Sequence, residues 1–508
     1  MNDVLIVAVP LFVLLMVVEF AWSRARGLPA YRFADTLASL GQGILSQLVG
    51  ACATFLTIGI YSLVEERIAL VHADDFWSGI AGILLAVVLY DFLDYWLHRV
   101  SHRSALFWAA HVVHHQSEEF NLSTALRQES LYPILGFPFF LPMALLGIPP
   151  ATFAIAGIVV LFYQFWIHTT LVQRLGWFDL VFSSPSNHRV HHAVNDEYID
   201  RNYGAILIVW DRMFGTFAPE RAPCTYGTRA PLRSWDPLRA LVQVFAATGR
   251  EALRTRSWLD RVRIWFLPPE WRPADLAAAE PAPAFDISAF RRFDPPRSRA
   301  ATVGATVQFL LVAIAAGLVL GYEEVLAWRT LVLATILVAG ALWVMGRLLE
   351  GRMGLLRAVA IDVLLLLPAA AAFAQPGAVL PHVEVRQAWV RGTVEGQEGT
   401  GAYMVLRSDA DAAVTGVRTS LSPRAGLHAM RMHGNAMTME PLARIELPAR
   451  QDVVLDERGM HIMIAGLTRA VRADERVHLW LRIAGRDGTQ GEIEVEAGVR
   501  PLGAPAPH

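Results

Sequence analysis

Charge and cysteine are both scarce in this chain. Charged residues fill 18% of its 508 positions against 54% hydrophobic ones, and 44 basic residues nearly cancel 46 acidic ones. A net charge near zero removes the electrostatic case for nucleic acid as a partner. Cys52 and Cys224 are the only cysteines. They exclude a cysteine-based zinc or iron–sulfur centre and give no basis for a disulfide framework. The first apolar run also lacks the basic start and small-x-small ending of a signal peptide.

Apolar sequence is what the chain has in excess. A helix needs roughly 20 apolar residues to cross a bilayer, and eight runs are candidates: 4–22, 38–63, 77–96, 131–146, 151–169, 301–321, 326–345 and 355–374. The second is long enough to bend at its glycines. The fourth, broken by Pro138 and Pro142, reads as a re-entrant segment. The basic segments "SRARG", "HRVSHR", "RRFDPPRSR" and "GRLLEGRMGLLR" all fall on one side if the N-terminus starts outside. Positive charge stays in the cytoplasm, so this places the histidine-rich loops inside and the residues after Ala374 outside. The chain is therefore expected to cross a membrane several times, with the tail on the outer side. The run ending "AAAAFAQ" has the basic start, apolar middle and A-F-A ending of an embedded signal sequence; a plain anchor is the alternative. Cleavage after Ala374 would release the tail. The stretch "RSWLDRVRIWFLPPEWRP" reads as an interfacial amphipathic segment or as a solvated linker.

Histidine is concentrated. H-x-x-H-H occurs twice, as His111, His114 and His115 and as His188, His191 and His192. Positions 0, 3 and 4 share a helical face, so three imidazoles can converge from a single turn. Asp91, Asp94, His98 and His102 also share a face, and Asp94 is placed to orient His98 by accepting its outer ring N–H. With His168 in "YQFWIHT", nine histidines fall within about one hundred residues. One metal rarely takes more than four to six ligands, so nine imply two metals close together. The ferritin-like Glu-x-x-His pattern is missing from the membrane part. Redox-inert zinc could occupy the rings, but such a site beside apolar helices fits iron activating O₂ against an unactivated C–H bond of a lipid.

The character changes after Gln375. Short alternating runs such as "HVEVRQAWV", "VHLWLRIAG" and "GEIEVEAG", separated by Gly and Asp turns, read as strands. About 120 such residues predict a small β-sandwich or barrel. Within it, ten residues separate His428 from Met439, another 21 separate Met439 from His461, and Met463 comes two later. Positions two apart on a strand share a face, and thioethers favour Cu(I). Met430, Met432, His433 and Met437 cluster nearby.

The boxes "HRVSH", "HVVHH", "YQFWIHT" and "PSNHRVHH", with the trailing "DRNYGAILIVWDRMFGTF", resemble the fatty acid hydroxylase/sterol desaturase superfamily. Within it the chain is most similar to the alkylglycerol monooxygenase group. That resemblance implies an integral-membrane di-iron oxygenase. Its iron ligands would be His98, His102, His111, His114, His115, His168, His188, His191 and His192. The trailing motif brings in Asn202, Tyr203, Trp210 and Asp211. Asp94, Asn202 and Asp211 are the candidate catalytic side chains, packing and turn formation being the alternative for the last two. Tetrahydrobiopterin is the electron donor implied by the closer relatives. No cytochrome b5 segment is evident, so electrons come from another protein or a small donor. The tail resembles the PCu(A)C-type periplasmic copper chaperones through H-x10-M-x21-H-x-M, with His428, Met439, His461 and Met463 as Cu(I) ligands. Arg450 and Gln451 stand where that family has glycines. This implies transfer of copper to a periplasmic partner.

The expected architecture is multi-domain: an all-α integral-membrane histidine-box domain followed by a small all-β cupredoxin-like domain. Residues 1–300 would form the hydroxylase-like part, 301–374 three further transmembrane helices, and 375–508 the copper-binding part. The predicted function is hydroxylation or desaturation of a fatty acyl, sterol or alkyl-ether lipid. The competing reading is a copper-handling membrane protein whose histidine boxes are a non-catalytic metal scaffold.

Overall fold

Backbone polar groups inside a bilayer have no water to bond, so apolar runs of this length close their hydrogen bonds as helices. The computed structural model describes residues 2–71, 73–280, 284–323, 326–374, 380–422, 424–433, 436–473, 475–486 and 490–502. Two compact units emerge, Met1–Ala372 and Phe373–His508.

Among the described residues, five helices of the first unit are long and apolar enough to cross a membrane: Ala8–Ala25, Phe33–Ile68, Ile80–Arg103, Arg299–Gly321 and Trp328–Leu349. The second run, expected to bend at its glycines, carries a π-helical turn at Phe55–Gly59. The third run differs from its expected bounds. Trp77 belongs to a short preceding helix, and the main helix continues to Arg103. His98 and His102 thus ride on the last two turns of a single membrane-length helix.

The fourth run is interrupted. A 3₁₀ turn, Phe137–Phe140, separates helices Tyr132–Gly136 and Leu141–Leu145, because each proline removes a helical donor. Helix Pro150–Trp166 has 17 residues, about 25 Å at 1.5 Å per residue, and delivers His168 just beyond its end. Between these elements Gly43 allows a close approach. A Cβ there would lie 2.3 Å from the Leu126 carbonyl oxygen, so only glycine lets helix Phe33–Thr54 pass this loop.

Helix Trp328–Leu349 packs on Phe33–Thr54 and on Arg299–Gly321, sharing a core of Leu45, Leu48, Ala305, Leu342 and Leu349. In lipid this core gains from close packing rather than from leaving water. Buried Glu350 accepts hydrogen bonds from Ser234 Oγ and the Trp235 amide. The "RSWLDRVRIWF" stretch forms helix Trp258–Phe266. Its Trp258, Val262 and Phe266 are exposed at i, i+4 and i+8, an outward apolar stripe flanked by arginines.

The second unit is a ten-stranded sheet among the described residues. Val383–Arg391 pairs in parallel with Gln490–Arg500, and its other neighbour Gly399–Ser408 is antiparallel. Ala412–Thr419 packs against Arg424–His433, which curls the sheet around Val390, Ala402, Leu406, Ile462, Leu479 and Ile483. Arg450 takes φ 60°, a left-handed conformation that costs a non-glycine residue about 1 kcal/mol.

Candidate metal centres

Nine buried imidazoles form two adjoining groups. His98, His102, His111, His115 and His191 make one; His114, His168, His188 and His192 make the other. Within each group one nitrogen per ring lies within 4.8 Å of all the others. The rings come from helix Ile80–Arg103, helix Ala105–His115, the end of Pro150–Trp166, and helix Pro185–His191 with its cap His192.

The boxes work differently from the expectation that each would converge on one ion. At about 100° per residue, i and i+4 point about 40° apart, whereas i+3 diverges to the other side. His111 and His115 accordingly serve one position while His114 reaches the other. In the second box His188 and His192 pair, and His191 crosses over. Each box feeds both positions, which forces the two to be neighbours.

The outer ring nitrogens set the tautomers. His98 Nδ1 lies 2.8 Å from the Tyr203 carbonyl oxygen, His114 Nδ1 3.1 Å from that of Arg127, His168 Nδ1 2.7 Å from that of Gln164, and His191 Nδ1 3.0 Å from that of Arg201. A carbonyl only accepts, so each Nδ1 carries the proton and donates it, leaving Nε2 as a lone pair. The Nε2 atoms of His114 and His168 nevertheless stand 3.1 Å apart, and those of His168 and His188 3.0 Å. Nε2 of His98, His102 and His191 is buried without a partner. Extra protons do not resolve this, since burial pushes His114 down to about 4 and His111, His115, His168, His188, His191 and His192 well below the ordinary value. Converging lone pairs in a dry pocket fit cations and little else.

The candidate carboxylates lie outside both groups. Asp94 does not accept from His98, because the Tyr203 carbonyl has taken that proton. Asp91 instead accepts from the Ile206 and Leu207 amides and from Trp210 Nε1. Asp211 accepts from the Tyr203 and Gly204 amides and from Thr216 Oγ1. It therefore fixes the peptide whose carbonyl holds His98. Asn202, at φ 59°, donates to the Asn187 and Ala218 carbonyls and accepts from the Ala218 amide.

Several partners were not singled out from the sequence. Glu129 Oε1 lies 2.7 Å from His111 Nδ1, and burial pushes its carboxyl up to about 8, a bias that a nearby cation opposes. Asp200 Oδ1 faces His102 Nδ1 at 3.6 Å. Burial opposes charge on Asp200, but hydrogen bonds from His102 and Arg103 prevail and hold it below the ordinary value. Asp200 opens the trailing motif, which was the available signal; nothing near Glu129 in sequence marks it. Glu19 accepts from Thr169 Oγ1, Tyr31 Oη and the Leu122 amide, tying the first helix to the His168 turn.

In the second unit His428 and His461 are cross-strand partners, their rings 6.2 Å apart and nearly parallel. Met463 opposes Gly426, and Met439 opposes Met430. Directly opposed residues share a face, so His428, Met430, Met439, His461 and Met463 all project to one side of the sheet. Met439 is exposed and His461 is buried. Met432, His433 and Met437 lie on the same hairpin, their side chains outside the described ones.

Residues 83–216 match the family model "Fatty acid hydroxylase". The alkylglycerol monooxygenase of Danio rerio is 32% identical over 348 residues, 68% of this chain and 77% of that protein. The chain belongs to the fatty acid hydroxylase family. The human alkylglycerol monooxygenase is 35% identical over 269 residues, and the chain spans 59% of its length. An ornithine lipid hydroxylase of Rhizobium tropici is 28% identical over 266 residues, 76% of its length. In the tail of this family member, residues 383–499 match the model "Putative lipoprotein LpqE-like". Among solved structures, the tail resembles a copper-bound PCuAC domain from PmoF2, at 18% identity, 24% of this chain, 96% of that one and TM-score 0.20. It also resembles a Cu(I)-bound protein of Deinococcus radiodurans, at 32% identity, 26% and 87% coverage and TM-score 0.19.

Proposed function

We propose that the first unit is a membrane di-iron oxygenase that hydroxylates a lipid, and that the second binds Cu(I). The carrying observation is the pair of imidazole groups with Nε2 lone pairs turned inward, His98 and His102 standing at the end of a membrane-length helix. Nine neutral nitrogen donors suit a first-row divalent metal. The relatives' names add that proteins of this kind act on alkylglycerols and ornithine lipids.

Iron held there would supply O₂ activation for insertion of one oxygen atom into a C–H bond. The chain's own residues supply the rest. The nine rings hold the metals. The Tyr203, Arg127, Gln164 and Arg201 carbonyls fix ring tautomer and direction, so no reorganisation is needed at the moment of reaction. Asp91, Asn202 and Asp211 act as positioning residues for the 202–218 segment. Asp94, near Tyr90 and Tyr132, is assigned no direct step. Phe120 stacks on His168 at 5.4 Å and keeps water from that side.

The proposed orientation follows the arginine-rich loops: histidine boxes on the cytoplasmic face, residues after Ala374 outside. His428, Met439, His461 and Met463 would hold Cu(I) for a partner outside the cytoplasm. The test is lipid analysis of cells carrying the wild type or a His114→Ala, His191→Ala variant. Oxygenated alkyl or acyl lipids should vanish in the variant. Purified protein given O₂ with tetrahydrobiopterin, or with a reduced ferredoxin, separates the two donor classes. Unchanged lipids together with a copper-handling defect would favour the scaffold reading instead.

A further inference from the structure

The two metal positions have like inner ligands but unlike surroundings. Two carboxylates stand behind the five-imidazole position: Glu129 on His111 at 2.7 Å and Asp200 on His102 at 3.6 Å. Behind the four-imidazole position the partners are the Arg127 and Gln164 carbonyls. His188 Nδ1 has no partner there. The guanidinium of Arg127, itself buried, is anchored nearby on the Val113 carbonyl and Gln116 Oε1. One position is therefore backed by two carboxyl groups and the other by two carbonyls and a buried guanidinium.

We propose that Glu129 is a positioning residue that makes the five-imidazole position the tighter of the two metal sites, with Asp200 in a lesser supporting role. The inference rests on the two-metal reading above. A carboxylate that accepts an imidazole N–H draws the proton toward itself and makes the far nitrogen a stronger donor. A carbonyl does so less, and a nearby cation opposes it. Outer partners of this kind change metal affinity by about 10–100-fold. Geometry strengthens the case for Glu129 over Asp200. The shorter contact is made by a carboxylate almost wholly out of water, whereas Asp200 is partly solvated and shared with Arg103.

The experiment uses the full chain in detergent, loaded with iron(II) and stripped with increasing chelator while bound iron is counted. The wild type should release metal in two steps, one ion resisting roughly 10–100-fold more chelator than the other. Glu129→Gln keeps an acceptor for His111 and removes only the charge. It should collapse the tight step toward the loose one and shift one of two Mössbauer doublets, leaving the other in place. A glutamate that merely props the ring would leave this variant identical to wild type, which overturns the proposal. Asp200→Asn, on a partly exposed loop, should weaken the same step by a smaller factor. It carries the test should Glu129→Gln fail to assemble, and unchanged release in it would then count against the proposal. Two ions released together in the wild type overturn this inference alone. A wild type that takes up fewer than two ions overturns the two-metal reading beneath it.

Discussion

A neutral imidazole that donates from Nδ1 has one lone pair left, and the direction of that lone pair is fixed by whatever accepts the proton. Six of the nine rings have such an acceptor placed behind them, four carbonyls and two carboxylates. Asp211 secures one of these acceptors at a distance. Asp211→Ala strands two buried amides, each costing about 1–3 kcal/mol, and leaves the Thr216 hydroxyl with Tyr95 Oη as its partner. Thermal unfolding of the detergent-purified protein should drop by several degrees, and iron should be lost first from the His98 position. Arg189, inside the second box, clamps Glu220 and the Thr169 carbonyl. Burial raises the Glu220 carboxyl, but hydrogen bonds from Arg189 and Ser186 outweigh it and hold the group below its ordinary value. A depressed carboxyl contributes stability above its unfolded value and loses it as the pH falls through the folded one. The stability gap between wild type and Glu220→Gln should therefore be full at neutral pH and close below about pH 4. The clustering of the nine histidines was legible because their spacing repeats. Glu129 and the four carbonyls were not, since a side chain 18 residues from His111 and a peptide oxygen leave no mark in a spacing pattern.

At the scale of elements, helical phase governs the site. The i, i+4 pair of each box shares one position and the i+3 ring serves the other. His114→Ala should selectively weaken the four-imidazole position and His191→Ala the five-imidazole one. Chelator release from the two variants should show opposite steps surviving; loss of the same step in both would contradict the phase argument. Gly43 belongs to this scale as well. Gly43→Val drives a side chain into the Leu126 carbonyl, next to the Arg127 peptide that holds His114, and overpacking of this kind costs about 1–3 kcal/mol or more. Reduced expression and iron content are the expected result. Apolar runs announced the helices, and their bounds moved where tertiary contacts took over. Helix Ile80–Arg103 extends past Trp96, where His98 and Arg99 donate to the Tyr203 and Phe214 carbonyls. The run through Pro138 and Pro142 broke as the prolines required.

At the scale of the whole molecule, two units carry two unlike ligand sets: neutral nitrogen donors in one, a His/Met face on a β-sheet in the other. The sequence separated them because hydropathy falls and strand alternation begins after Gln375. Soft thioethers favour Cu(I), whereas an all-imidazole set suits divalent iron, zinc, copper or nickel. His461→Ala with Met463→Leu should abolish Cu(I) binding, read by competition with a Cu(I)-specific chromophore, while leaving iron content untouched. The account as a whole stands on paired ions among nine histidines. Iron quantification with iron-edge X-ray absorption on the full-length protein in detergent tests this most directly. Two irons per chain, each bound by imidazole nitrogens as its protein ligands and with a second iron nearby, is the predicted result. One iron or none, or iron retained after His114→Ala and His191→Ala are combined, would contradict it.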